Sequence, residues 1–154
     1  MKLIRKAGTT SAIFQVFIQD SSSTTGAGLT GLTNATSGLV AYYHRSTDTT
    51  ATAISLVSMT VGTFTSGGFK EIDATNMPGW YQFCPPDASL AAGTALSVGF
   101  HLKGATNMAP LPIEIDLAAQ VDVTFWNGTA VASPATAGIP EVNVKNMNNV
   151  AATS

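Results

Sequence analysis

Leu96-Ser97-Val98-Gly99-Phe100-His101-Leu102-Lys103, and further on Leu111-Pro112-Ile113-Glu114-Ile115-Asp116-Leu117, alternate large apolar residues with polar or small ones. Successive side chains of a strand point to opposite faces, so each segment presents one apolar and one solvated face. Half-buried antiparallel strands read this way. Working outward, similar texture recurs at residues 12–19, 39–45, 53–61, Phe69–Asp73 and 79–84. No segment carries a 3.6-residue stripe of helical length. The best helical candidate is a single turn at residues 87–92, behind Pro85-Pro86.

The connections have turn chemistry. Residues 21–28 form a Ser/Thr/Gly loop, and Ser66-Gly67-Gly68 can supply positive φ. Seven or so short strands within residues 1–118 match the count of an immunoglobulin-like antiparallel β-sandwich, with a jelly roll or small barrel next in order. Strand order is not legible. The expected core contains Phe14, Val16, Ile18, Leu96, Val98, Phe100, Ile113 and Ile115. Residues 1–118 are read as the sandwich and 119–154 as an extended tail.

Composition narrows the function classes. The 154 residues are 45% hydrophobic but only 10% charged, with a net charge of −2. No basic footprint for nucleic acid is present. No apolar run approaches the ~20 residues of a spanning helix, so a membrane is not an expected partner. The single cysteine, Cys84, excludes an intrachain disulfide and a cysteine-based zinc site. Met1-Lys2-Leu3-Ile4-Arg5-Lys6 has the charge of a secretory leader but lacks the continuous apolar core and cleavage site, so cytosolic synthesis without cleavage is expected.

The search for chemistry finds isolated pieces. Glu71 with Asp73, and Glu114 with Asp116, have the spacing to share a strand face, which suits acid–base work or Ca²⁺ but equally a solvated surface. His44 and His101 stand at polar positions of different strands and could meet across a sheet. Ala95-Leu96-Ser97-Val98-Gly99 approaches a nucleophile elbow, but Ser97 lies inside a strand rather than at a strand-to-helix turn. Cys84 has no activating base in view. Gly26-Ala27-Gly28-Leu29-Thr30-Gly31 has the Gly-x-Gly-x-x-Gly spacing with no helix behind it, and reads as a flexible hairpin loop. Asn34-Ala35-Thr36 and Asn127-Gly128-Thr129 match the glycosylation sequon, as chance allows in a Thr-rich chain. Neither catalysis nor a cofactor or metal is expected.

Beyond Leu117 the texture changes. The stretch from Val121 to Ser133 aligns without a gap on Val142 to Ser154, matching Val-x-Val starts, a large apolar residue (Trp126, Met147) and a following Asn. Pro134, Gly138 and Pro140 interrupt the segment. A repeat of about 20 residues cannot bury its own apolar face. Val121, Val123, Phe125, Trp126, Val131, Ile139, Val142, Val144 and Met147 are therefore the expected contacts between identical chains.

One long stretch is distinctive. Gly67-Gly68-Phe69-Lys70-Glu71-Ile72-Asp73-Ala74-Thr75-Asn76-Met77-Pro78-Gly79-Trp80-Tyr81-Gln82-Phe83 leads into Pro86-Asp87-Ala88-Ser89-Leu90, then Phe100–Pro110 and Ile113-Glu114-Ile115. It resembles the N-terminal immunoglobulin-like module of fibre-like or baseplate-associated virion proteins of tailed bacteriophages. The tail is similar to the linker repeats that follow that module. The resemblance implies a structural virion protein of fibre or baseplate-adaptor type. It would be assembled in the host cytoplasm, with identical chains (three, as in other fibres) and other virion proteins as partners. A capsid decoration or head-fibre protein differs only in attachment site. A carbohydrate-binding module would instead need several of Tyr42, Tyr43, Trp80 and Tyr81 on one face.

Overall fold

The computed structural model describes residues 2–118 and, beyond them, the backbone at 125–126, 129–130, 146–147 and 150–151. The chain divides into two compact units, Met1–Gln120 and Val121–Ser154. The described part of the first unit is all-β: β1 (Lys2–Lys6), β2 (Phe14–Phe17), β3 (Val40–Arg45), β4 (Thr52–Ile54), β5 (Phe69–Asp73), β6 (Met77–Phe83), β7 (Ser97–Lys103) and β8 (Leu111–Ala118). A single 3-10 turn, Asp87–Leu90, follows Pro86. The strands form a five-stranded sheet, β1-β8-β7-β3-β4, and a three-stranded sheet, β2-β6-β5.

The sheets stack as a sandwich because each carries one apolar face. Val98, Phe100 and Leu102 of β7 and Ile113, Ile115 and Leu117 of β8 are buried with Phe14 and Val16 of β2 and Tyr81 and Phe83 of β6. Phe100 is the hinge pin of this core. Its ring lies edge-on to Phe14 at 6.1 Å and to Phe83 at 5.9 Å, both from the opposite sheet. Such aromatic pairs add roughly 0.5–1.5 kcal/mol beyond their burial. The 3-10 turn closes one side: Leu90 is fully buried, its carbonyl accepts the Gly8 amide at 2.7 Å, and Arg45 Nη2 donates to the Ala91 carbonyl at 2.6 Å.

Of the expected core residues, Leu96 is the exception. It is 76% exposed, while Ala95 is buried. Ser46 Oγ accepts the amides of both Leu96 (2.9 Å) and Ser97 (3.4 Å), and the regular ladder starts only at Ser97. The inward positions are Ala95 and Val98, so the alternation slips by one residue and turns Leu96 outward.

Segment 53–61 is likewise not one strand. It stays in the larger sheet only to Ile54, then crosses to the edge of the smaller one. There the Val57 amide donates to the Gly67 carbonyl and the Phe69 amide to the Val57 carbonyl, both at 3.0 Å. The crossing brings backbones close together. Gly67 has φ +75°, and a Cβ there would stand 2.2 Å from the Ser55 carbonyl oxygen, so only glycine fits.

The sandwich is also not wholly antiparallel. β1 pairs parallel with β8, from Lys2↔Glu114 to Lys6↔Ala118. Three cations in six residues masked this strand in the sequence. Leu3 packs against the core, and Arg5 lays its guanidinium over the Phe14 ring at 5.6 Å, so an inward position carries a charged residue.

Candidate functional site

Among the described residues, the outer face of the five-stranded sheet gathers several polar side chains. The β8, β7 and β3 register places Glu114, Gly99 and His44 in one row, with Pro112, His101 and Tyr42 on one side. On the other side lie Asp116 and Ser97, then Ser46, whose amide donates to the Ser97 carbonyl at 2.9 Å. Alternation turns all of these to the same face. The middle position has no side chain, so two shallow depressions of about 470 and 430 Å³ meet over Gly99.

Gly99 is unusual for its place. Its φ lies outside the left-handed region, its ladders to both neighbours are unbroken, and a Cβ would meet nothing within 4 Å. A strand-interior glycine normally marks a bulge or a close approach of another group. Among the described residues neither is found here. Sequence reasoning passed over this position, although a glycine in the middle of the cleanest alternating run was the available signal.

His44 and His101 do share this face, as diagonal neighbours on adjacent strands, a relation that places Cα atoms about 7–8 Å apart. His44 Nε2 lies 2.9 Å from the Asp48 carbonyl oxygen, which fixes the ring against its own turn. Glu114 stands two interstrand steps from His44, roughly 10 Å between Cα atoms. Two imidazoles alone fall short of the three or four protein ligands a zinc site uses. Among the described residues no group of three or more His, Cys, Asp or Glu side chains converges. The face offers hydrogen-bond donors and acceptors around an open floor.

The other carboxylate pair is split. A register shift separates Glu71 from Asp73. Glu71 Oε2 accepts the Gly31 amide at 2.9 Å, next to Tyr81, whose hydroxyl donates to the Leu29 carbonyl at 2.7 Å and accepts the Leu32 amide at 3.2 Å. These bonds pin Leu29 and Gly31 of the Gly26–Gly31 loop read as flexible, and Leu32 just beyond it. Burial, and then the nearby Glu71 charge, pushes the Tyr81 phenol up to about 12, against a lowering by the Leu32 amide. Asp73 instead closes the β5–β6 turn, accepting from the Thr75 and Asn76 amides and from Asn76 Nδ2 at 2.7–2.9 Å. These bonds, that of the Asn76 side chain foremost, hold its carboxyl below the usual range.

The remaining candidates are framework. Cys84 is fully buried, its thiol donates to Met59 Sδ at 3.6 Å, and burial pushes its pKa up. Ser97 lies inside β7, opposite Asp116 in the register, and not at a strand-to-helix turn. The aromatic residues do not build a platform. Tyr81 is buried and stacked on Phe69 at 4.9 Å, Tyr43 packs towards Phe100, and Tyr42 and Trp80 lie on the outer faces of opposite sheets. Trp80 pairs with half-exposed Phe17, ring centroids 5.9 Å apart.

In the second unit, Val121, Val123, Val131, Ile139, Val142 and Val144 lie outside the described residues. Phe125, Trp126 and Met147 fall in short strands. Phe125–Trp126 (β9) pairs antiparallel with Thr129–Ala130 (β10), and Asn146–Met147 (β11) with Val150–Ala151 (β12). Each strand of the second ladder starts 21 positions after its counterpart in the first, the offset at which Val121 and Val123 align with Val142 and Val144. Comparison with family models, with curated proteins and with solved structures finds no match to this chain.

Proposed function

We propose that this chain is a structural protein of a tailed-bacteriophage virion, of fibre or baseplate-adaptor type, acting by assembly and attachment and not by catalysis. The reading rests on the resemblance of residues 67–115 to immunoglobulin-like virion modules. The stretches that carry it are used in the framework. Gly67–Phe83 contains the β5–β6 hairpin, with Tyr81 and Phe83 in the core; Pro86–Leu90 is the 3-10 turn; and Ile113–Ile115 lies in β8. A weakly charged surface and a repeated apolar C-terminal segment suit permanent association with identical chains and other virion proteins. Nucleic acid, membrane and cofactors have no part in this role, and the place of action is the virion.

Immunogold labelling of purified particles with antibody to the sandwich tests the reading. Gold at the tail tip or baseplate is the expected result. Gold on the head moves the protein to the capsid-decoration alternative. Particles free of label, with all the chain left in the soluble fraction, overturn the virion reading. Turnover of peptidoglycan, polysaccharide or ester substrates that is abolished by His101→Ala or Glu114→Gln would overturn the non-enzymatic part.

A further inference from the structure

We propose that the outer face of the five-stranded sheet is a two-fold contact between copies of this chain, centred on Gly99. The inference deepens the assembly reading above, on which it rests for the expectation that identical chains associate, and gives that contact a surface on the sandwich. Its basis is the order of side chains across three strands. In the row of Gly99, His44 stands one strand away on β3 and Glu114 one strand away on β8. In the next row His101 lies between Tyr42 and Pro112. His44, Gly99, His101, Pro112 and Glu114 are exposed and Tyr42 is half-buried, so all are open to a partner.

A two-fold axis laid along β7, between two such faces, brings β7 over β7 and β3 of each copy over β8 of the other. Every off-axis pairing then occurs twice, as an isologous contact requires. His44 of each copy faces Glu114 of the other, imidazole against carboxylate, and Tyr42 faces Pro112, ring against ring. The depression on the β3 side of Gly99 lies over the one on the β8 side. Gly99 sits on the axis and faces itself, and a strand-interior glycine admits the close approach of a second backbone. A foreign partner of one charge sign would match only half of this row. A second copy matches both halves. The contact is small: five strands about 4.8 Å apart and six residues rising about 3.3 Å each give a face of roughly 20 by 20 Å. That belongs at the lower end of specific interfaces. Lys103, which also falls on the axis at the end of β7, has the reach to swing its ammonium to solvent.

The test uses the full chain, sedimentation equilibrium and site-directed cross-linking. Glu114→Lys removes the acid of each pairing, and His44→Glu sets two carboxylates face to face. Each should weaken self-association by about tenfold or more. Mixing the two variants in equal amounts recreates one opposite-charge pairing and keeps one original pairing, and combining both substitutions in one chain reverses both. Either should recover association near the wild-type level. His101→Cys lies on the axis and should be joined to its own copy by a short bismaleimide, whereas Gln15→Cys, exposed on the outer face of the other sheet, should not. Cys84 is fully buried and gives no background. Thermal midpoints identify a charge variant that fails to fold, and the cross-links then decide. A wild-type chain that is monomeric at the highest attainable concentration overturns the proposal. So does self-association indifferent to both single substitutions, a mixture that stays as weak as its parts, or cross-linking through Gln15→Cys as efficient as through His101→Cys. Failure here leaves the virion reading standing, because that is read from labelled particles and not from self-association.

Discussion

At the scale of the residue, Phe100, Leu96 and Gly99 are near neighbours in sequence with opposite fates. Phe100→Ala removes a 2%-exposed ring shared by both sheets and should cost about 3–5 kcal/mol in denaturant unfolding. Leu96→Ser, at an equally apolar position of the same run, should stay within about 0.5 kcal/mol of wild type. Gly99→Val should stabilise the fold by up to about 1 kcal/mol, since strand preference favours Val and the space above Gly99 is open. A destabilised Gly99→Val chain would show that its floor is occupied from within the fold. If the variant is more stable yet fails to join the virion proposed above as its place of action, the glycine serves contact with a partner. The alternation told Phe100 from its polar neighbours but not from Leu96. Period two has no memory of where a ladder begins, and the slip depends on Ser46, fifty positions away.

At the scale of the element, β5 and β8 were legible to the residue, and β3 and β7 to within one residue, because half-buried strands write their faces into the sequence. Segment 53–61 was not legible. Changing sheets halfway depends on the close approach of Gly67 to Ser55, a tertiary contact without a local signature. The union of His44 and His101 on one face also needed the β3–β7 register, which periodicity leaves open. The Tyr81 clamp makes an element-level prediction. The folded phenol titrates near 12 against an ordinary value of about 10, so the folded state holds that proton more tightly. Its contribution is complete below about pH 10 and is lost as pH rises towards 12. Thermal unfolding followed from pH 9 to 12 should show this alkaline loss in the wild type. Tyr81→Phe should start less stable, lacking the bonds to Leu29 and Leu32, and should decline less over that range.

At the scale of the whole molecule, the sandwich was legible as a class but its closure was not. The first strand lies beside the last, and an N-terminal run rich in Lys and Arg gave no hint of it. Deleting residues 2–6 removes a five-residue ladder and uncovers the β8 edge. At ~0.5–1.5 kcal/mol net for each hydrogen bond, the loss should be about 2 kcal/mol or more, with strand-edge association as a second symptom, both read by melting and sedimentation. The parallel pairing of β1 with β8 also orders events during synthesis. Lys2–Lys6 leave the ribosome some hundred residues ahead of their partner, Leu111–Ala118, a wait of roughly 5–20 s at ~5–20 residues per second. Throughout that interval the nascent chain shows Leu3 and Ile4 unpaired. The larger sheet reaches its full width only when the C-terminal edge of the sandwich has emerged, so a chain stalled before residue 111 is one that chaperones at the ribosome should hold longest.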